Sequence, residues 1–210
     1  MIDYVRAPEA IYERSFAEIS RIDALAALPE DIRPVATRIV HACGMPDVLD
    51  DLRFSDDMVE RTRAALDAGA DIYCDVETLR HGVMRHLLPD GCALHCRISA
   101  PDVAAHARQH KMTRAGAQVD LWGDRLEGQV MAIGNAPTTL FRLMELIDRG
   151  AVGRPAAVIA FPVGFVGAAE SKDELVRDPR GMGYLTLCGK RGGTAMAQAA
   201  VNGLAGGLAT

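Results

Sequence analysis

The side chains best suited to chemistry in the first half of the chain are Arg38 and His41, near the end of a predicted helix that runs from about residue 30 to residue 44. The apolar stripe of this helix contains Ile32 and Ile39, and at about 100° per residue His41 lies about 180° from Ile32. Arg38 and His41 therefore share the face opposite the predicted core. Such an imidazole could exchange a proton near neutral pH while the guanidinium binds an anion. A solvated basic helix end gives the same pattern, and the helical wheel does not separate the two.

Glycine-rich segments form a second group of candidate ligand-binding residues, because they follow three predicted strands. They cover residues 134–139, 162–167 and 189–194. In an open α/β sheet, ligands bind at the carboxyl ends of the strands, and the free N–H groups of a following helix favour anions. One alternative is therefore a phosphate-binding α/β enzyme that uses the Gly134 and Gly192 loops.

The familiar cofactor, metal and nucleophile motifs are absent from the sequence. It contains no Walker loop, no Gly-x-Gly-x-x-Gly, no Gly-x-Ser-x-Gly, no Cys-x-x-Cys and no His-Glu-x-x-His. Cys92 and Cys96 flank His95, but no second pair of ligands follows at zinc spacing, which indicates buried free thiols. We therefore expect no metal site, and a nucleotide cofactor is disfavoured.

The elements that must position these residues change type near residue 71. Helical periodicity dominates before that point, over residues 8–25, 30–44 and 55–69. Short apolar runs then predict strands at residues 72–76, 92–98, 130–133, 157–161 and 184–188. Helical segments separate or follow them at about residues 102–125, 136–149, 166–177 and 193–207. This alternation predicts an α/β fold with a mostly parallel sheet flanked by helices and preceded by a helical segment.

Length and composition narrow the class of protein. The 210 residues fit one domain over residues 1–210, with 49% hydrophobic and 24% charged residues. A net charge of −5 provides none of the basic surface typical of nucleic-acid binding. The uncharged apolar stretch at residues 156–169 is shorter than the roughly 20 residues of a membrane span. Five cysteines without a recognisable secretory signal favour a cytoplasmic protein with reduced thiols.

Several segments, taken together and in order, resemble the precorrin-8X methylmutase family, which includes the cobalt-precorrin-8 methylmutases of vitamin B12 biosynthesis. In the first half these are residues 11–16 (IYERSF), 38–44 (RIVHACG), 74–75 (CD) and 81–82 (HG). In the second half they are residues 113–114 (TR), 132–138 (AIGNAPT), 162–172 (PVGFVGAAESK) and 192–196 (GGTAM). The resemblance covers nearly the whole chain, and the segment at 162–172 is the most specific.

The resemblance implies an isomerase that needs no cofactor and moves a methyl group from C-11 to C-12 of a tetrapyrrole, converting precorrin-8X to hydrogenobyrinate. The family's catalytic histidine falls on His41, and its substrate contacts fall on Ser15, Arg38 and Arg114. Asn135 and Lys190, in two of the matching glycine loops, complete the predicted substrate-binding residues. The family is also homodimeric, with the substrate near the subunit interface, so the resemblance implies a homodimer with a tetrapyrrole as its ligand.

Lys190, Thr194 in place of serine, and the side chains around residues 78–80 and Met84 depart from the family pattern, and two alternatives stay open. Lys190 stands where the family tends to have arginine, and lysine cannot bind a carboxylate bidentately. Either Arg191 takes over this role or one substrate carboxylate is held more loosely. The alternatives to the metal-free isomerase are the cobalt-containing version of the same reaction and a non-catalytic carrier of hydrogenobyrinate, for which the same arginines would serve.

Overall fold

A six-stranded sheet forms the centre of the computed structural model, which describes residues 2–206. The strands are β1 (Leu52–Phe54), β2 (Ile72–Cys74), β3 (Leu94–His95), β4 (Val130–Ile133), β5 (Ala157–Ala160) and β6 (Gly183–Leu187). Their order is β1-β6-β5-β4-β2-β3; β1 pairs antiparallel with β6, and every other neighbouring pair is parallel. The predicted α/β class with a mostly parallel sheet is confirmed.

Ten α-helices lie within residues 2–206. They are α1 (Pro8–Ile19), α2 (Asp23–Ala26), α3 (Arg33–Cys43), α4 (Met58–Asp67), α5 (Glu77–Gly82), α6 (Pro101–Gln109), α7 (Arg114–Trp122), α8 (Pro137–Asp148), α9 (Ala168–Arg177) and α10 (Thr194–Leu204). Short 3-10 segments occupy Pro46–Asp51, Arg85–Leu87 and Gly123–Leu126. No helix in this part of the chain has the length and apolar character needed to cross a bilayer.

The local sequence patterns misplace several boundaries. The helix predicted over residues 102–125 is two helices and a 3-10 turn, because the chain bends between α6 and α7, where Lys111 has a φ of 51°. Strand β1 was not predicted, since three residues at an antiparallel edge show no periodicity. The last residue of the helix predicted over 193–207, Gly207, lies outside the described residues.

Both faces of the sheet are covered, which explains why its central strands are apolar at nearly every position. One face packs against α3, α4 and α10, and the other against α7, α8 and α9. Alternate strand residues supply the two cores; Ile72 belongs to the first and Tyr73 to the second. Helices α3 and α10 pack so closely that a Cβ at Gly203 would lie only 3.0 Å from Cα of Val35.

Candidate active site

Helix α3 holds Arg38 and His41 on its outward face. Pro34 occupies the first turn, and Gly44 ends the helix in the left-handed conformation with a φ of 67°. The inward face buries Val35 and Ile39 completely. Arg38 is half-buried and His41 is exposed, so the helical periodicity predicted their shared face correctly.

Helix α1 crosses α3 and fixes the imidazole of His41. The Ser15 hydroxyl lies 3.0 Å from its Nδ1 atom. The Phe16 ring stacks on the imidazole with 5.1 Å between ring centroids and an interplanar angle of 12°, and Tyr12 lies at 5.6 Å. Because Nδ1 is engaged by Ser15, Nε2 is the nitrogen left to exchange a proton with a ligand.

His41 lies between two adjoining cavities. The larger, of about 540 Å³, is lined by Arg14, Ser15, Glu18, Ile19, Ile22, Val40, His41, Gly44 and Pro46. The smaller, of about 260 Å³, is lined by Tyr12, Arg38, His41, Ala42, Gly82, Met84, Ala195, Gln198, Ala199 and Asn202. The imidazole therefore borders both spaces at the junction of α1, α3 and α10.

Arg38 lines the smaller cavity, and one of its hydrogen-bond donors has no partner within residues 2–206. Its Nε atom is buried, and within residues 2–206 no acceptor lies within hydrogen-bond distance of it. A buried donor without a partner is costly unless a ligand satisfies it. The guanidinium is thus suited to a carboxylate bound in this cavity.

The sequence patterns missed the wall of the smaller cavity that α10 provides. The Gln198 amide donates to the Thr78 carbonyl oxygen at 2.6 Å, and the Asn202 side-chain oxygen accepts from the backbone N–H of Met84 at 2.9 Å. A Cβ at Gly82 would overlap the end of the Gln198 side chain, which would have to move away from its contact with Thr78. In the sequence, the only sign of this cavity wall is the pair of amide side chains Gln198 and Asn202, one turn apart in an Ala-rich helix.

Asp75 occupies the anion-binding position of the Gly134 loop. Its carboxylate is fully buried and accepts hydrogen bonds from the backbone N–H groups of Gly134, Asn135 and Ala136 at 2.8–2.9 Å. Burial raises the pKa of Asp75, while these three hydrogen bonds favour the ionised form. Because the chain's own carboxylate fills this position, the proposed phosphate site in the Gly134 loop is wrong.

The loop between β6 and α10 presents Lys190 rather than Arg191. The Arg191 guanidinium contacts the carboxylates of Asp47 at 2.6 Å and Asp51 at 2.7 Å. Lys190 is exposed, with its Nζ atom 5.5 Å from the centroid of the Phe165 ring. Of the two explanations for the departure from the family pattern, replacement by Arg191 is therefore disfavoured.

The structure brings Ser15, Arg38 and His41 together but does not place the other candidate ligands beside them. Asn135 and Lys190 lie in adjacent loops, since their carbonyl oxygens accept from the N–H groups of Val163 and Gly164 at 3.3 and 3.1 Å. Arg114 begins α7 and is exposed. None of Arg114, Asn135 and Lys190 lines either cavity around His41.

All five cysteines are free thiols in the structure. Burial raises the pKa of Cys96 to about 11, so the thiolate is disfavoured there. Across residues 2–206, no three His, Cys, Asp or Glu side chains cluster closely enough to hold a metal ion. The histidine on α3 is therefore the clearest acid–base group at the cavities.

Together, the fold and the site define an α/β protein with an open cleft at which a histidine stands beside an arginine whose buried Nε atom has no hydrogen-bond partner within residues 2–206. Residues 10–206 match the family model described as precorrin-8X methylmutase. The chain belongs to the precorrin-8X methylmutase family, whose members are isomerases.

Individual relatives match over nearly their whole length. The precorrin-8X methylmutase of Pseudomonas aeruginosa is 50% identical over 98% of both chains, and that of a Sinorhizobium species is 47% identical over 97% of this chain and 96% of the relative. A solved precorrin-8X methylmutase structure from Thermus thermophilus superposes with a TM-score of 0.82 at 32% identity, covering 93% of this chain and 96% of that one. Family membership and fold thus agree.

Proposed function

We propose that this protein converts precorrin-8X to hydrogenobyrinate by moving a methyl group from C-11 to C-12 of the tetrapyrrole. The observation that carries the proposal is the arrangement on α3: His41 is held by Ser15 and stands beside Arg38, whose Nε atom lacks an internal acceptor. The names of the relatives at 50% and 47% identity support precorrin-8X as the substrate.

His41 acts as general acid and then as general base. In the imidazolium form, Nδ1–H donates to the Ser15 oxygen and Nε2–H is directed to the macrocycle. Protonation of the conjugated ring makes the adjacent carbon electrophilic, so the methyl group migrates with its bonding pair, and the same nitrogen then recovers the proton. Substrate and product are isomers, so the cycle consumes nothing. Acid–base catalysis of this kind contributes about 10²–10⁴-fold in rate.

The substrate carries several carboxylates, which require cationic and hydrogen-bonding partners. Arg38 supplies one guanidinium in the smaller cavity. We assign Lys190, Asn135 and Arg114 to carboxylates at the periphery of the ring, which extend beyond the two cavities around His41. Ser15 lines the larger cavity as well, but its contact with His41 makes the orientation of the imidazole its main role.

A second copy of the chain completes the site in this proposal. Ligand pockets usually enclose about 300–1,000 Å³, and a tetrapyrrole with several carboxylate arms needs the upper part of that range. The two cavities measure about 540 and 260 Å³ and are open. Tyr12 and Met84, which line the smaller cavity, remain 49% and 38% exposed, which favours cover by a partner subunit. Light scattering coupled to gel filtration tests the homodimer directly.

The decisive experiment follows the absorption spectrum of precorrin-8X incubated with the purified protein. A catalyst converts many equivalents of substrate to hydrogenobyrinate, whereas a carrier changes at most one equivalent. A parallel incubation with cobalt-precorrin-8 tests the cobalt version of the reaction. We place the reaction in the cytoplasm, because the protein's thiols are free.

A further inference from the structure

Lys172, in α9, is a buried cation that the proposed mechanism does not use. Its side chain is 0% exposed, although lysine is rarely buried. Its ammonium group donates to the carbonyl oxygen of Arg191 at 2.6 Å, and no carboxylate lies within ion-pair distance in the described part of the chain. Burial lowers the pKa of Lys172 to about 8. A buried charge with one neutral partner destabilises a fold, so its position calls for a functional reason.

The carbonyl that Lys172 contacts belongs to a loop with little rigidity of its own. Gly189 and Gly193 have φ values of 78° and 118°, which other residues rarely adopt. Gly192 lies so close to β5 that a Cβ would be 2.4 Å from the Phe161 carbonyl oxygen. The backbone conformation of this loop therefore depends on contacts from outside it.

Four such contacts surround Lys190, the exposed cation of the loop. Its own carbonyl oxygen accepts from the N–H of Gly164 at 3.1 Å. The next residue, Arg191, is held through its carbonyl by Lys172 and through its guanidinium by Asp47 and Asp51. Asp47 lies in the segment that follows α3, so the network links the Lys190 loop to the helix that carries His41.

We propose that Lys172 is a positioning residue that fixes the backbone of the Lys190 loop, so that the Lys190 ammonium meets a substrate carboxylate. This inference rests on the proposed role of Lys190 as a carboxylate ligand. Lys172 itself does not touch the substrate. It holds the carbonyl of residue 191 and thereby removes the conformational freedom that three glycines would otherwise give the loop.

A double-mutant cycle on the full-length protein tests the proposal, with hydrogenobyrinic acid titrated by absorption. We expect Lys190→Met to raise the Kd about tenfold, as for the loss of one charged hydrogen bond. Lys172→Met should raise it by a similar factor, and the double variant should bind no more weakly than Lys190→Met. At saturating precorrin-8X, kcat should stay within about twofold of the parent in Lys172→Met, because Lys172 does not touch the substrate and His41 and Ser15 are unchanged. A loss of folded structure alone would not give this pattern.

Arg177→Met is the matched control, because it removes a positive charge from the exposed end of the same helix, where Arg177 pairs with Glu174. It should leave the Kd unchanged. Lys172→Gln keeps an N–H donor on a shorter side chain, so it should raise the Kd less than Lys172→Met does. It provides a second test of the role if Lys172→Met folds poorly.

Different outcomes overturn the two proposals separately. An unchanged Kd in Lys190→Met removes Lys190 from the ligand set and with it the basis for the Lys172 role. Two results overturn the positioning role alone. In the first, Lys190→Met raises the Kd but Lys172→Met leaves it unchanged. In the second, both single variants raise the Kd and the two factors multiply in the double variant. Failure of the parent protein to convert precorrin-8X overturns the proposed function while the binding cycle can still be measured.

Discussion

The Ser15 hydroxyl lies 3.0 Å from Nδ1 of His41, which joins α1 to the last turn of α3 across 26 residues of sequence. The contact selects which imidazole nitrogen faces a ligand, because Nδ1 is engaged by Ser15 and Nε2 is left to meet the ligand. Phe16 supports the same orientation by stacking on the ring.

Removal of the Ser15 hydroxyl should lower turnover more than affinity. We expect Ser15→Ala to reduce kcat about tenfold, since one hydrogen bond to a charged group is worth about 1.5–3 kcal/mol and this one is partly solvated. KM for precorrin-8X should change less than kcat. Ser15→Thr retains the hydroxyl and serves as the control; equal kcat values in the two variants would contradict the orienting role.

His41→Ala should separate binding from catalysis. The arginine and the cavity walls remain, so we expect hydrogenobyrinic acid to bind with a Kd within a few-fold of the parent. Turnover should fall by about 10²–10⁴-fold, the usual contribution of a general acid–base group. Spectral titration and a steady-state assay measure the two quantities, and near-parental turnover would exclude His41 as the proton carrier.

Arg38→Ala should weaken binding of the polycarboxylate ligand. Loss of a charge-assisted hydrogen bond predicts a Kd raised about 10- to 100-fold, with a smaller rise for Arg38→Lys, because lysine keeps the positive charge although it lacks the bidentate geometry. Arg177→Ala is a suitable control, since Arg177 is exposed on α9 and pairs with Glu174, and neither residue lines either cavity. If both alanine variants bind alike, the cavity around Arg38 is not the carboxylate site.

Asp75→Asn should destabilise the protein without opening a new anion site. The amide nitrogen of the new asparagine cannot accept the hydrogen bond that the replaced carboxylate oxygen accepted. One buried N–H donor is therefore left unsatisfied, which lowers the free energy of unfolding by about 1–3 kcal/mol. Urea denaturation measures this loss. Unchanged stability would show that the hydrogen bonds from Gly134, Asn135 and Ala136 contribute little.

The buried lysine makes stability depend on alkaline pH with a definite sign. Lys172 titrates at about 8 in the folded protein and at about 10.5 when unfolded, so between these values the unfolded chain binds more protons and folding gains stability as pH rises. Relative to Lys172→Met, the parent should gain at most about 3 kcal/mol between pH 7 and pH 10.5. Urea denaturation of both proteins at several pH values measures the difference, in which tyrosine and cysteine titrations cancel. A difference that does not change with pH would show that Lys172 is not desolvated.

Local periodicity was sufficient for the parts of the site that lie on one element. The positions of Ile32, Val35 and Ile39 determined that Arg38 and His41 face away from the core, because a helix repeats every 3.6 residues whatever surrounds it. The alternation of apolar runs and helical stretches likewise determined the parallel α/β sheet. The resemblance of several segments to the family indicated the chemistry.

Only the tertiary structure decided which partners those residues meet. The contact of Ser15 with His41, the Gln198 and Asn202 wall of the cavity, and the placement of Asp75 in the Gly134 loop all join residues distant in sequence. The sequence alone made the loop at residues 134–136 a candidate anion-binding site. In the structure, the carboxylate of Asp75 occupies that position. Such pairings depend on how helices dock on a sheet and on which polar groups must be satisfied once buried, and no short-range pattern carries that information.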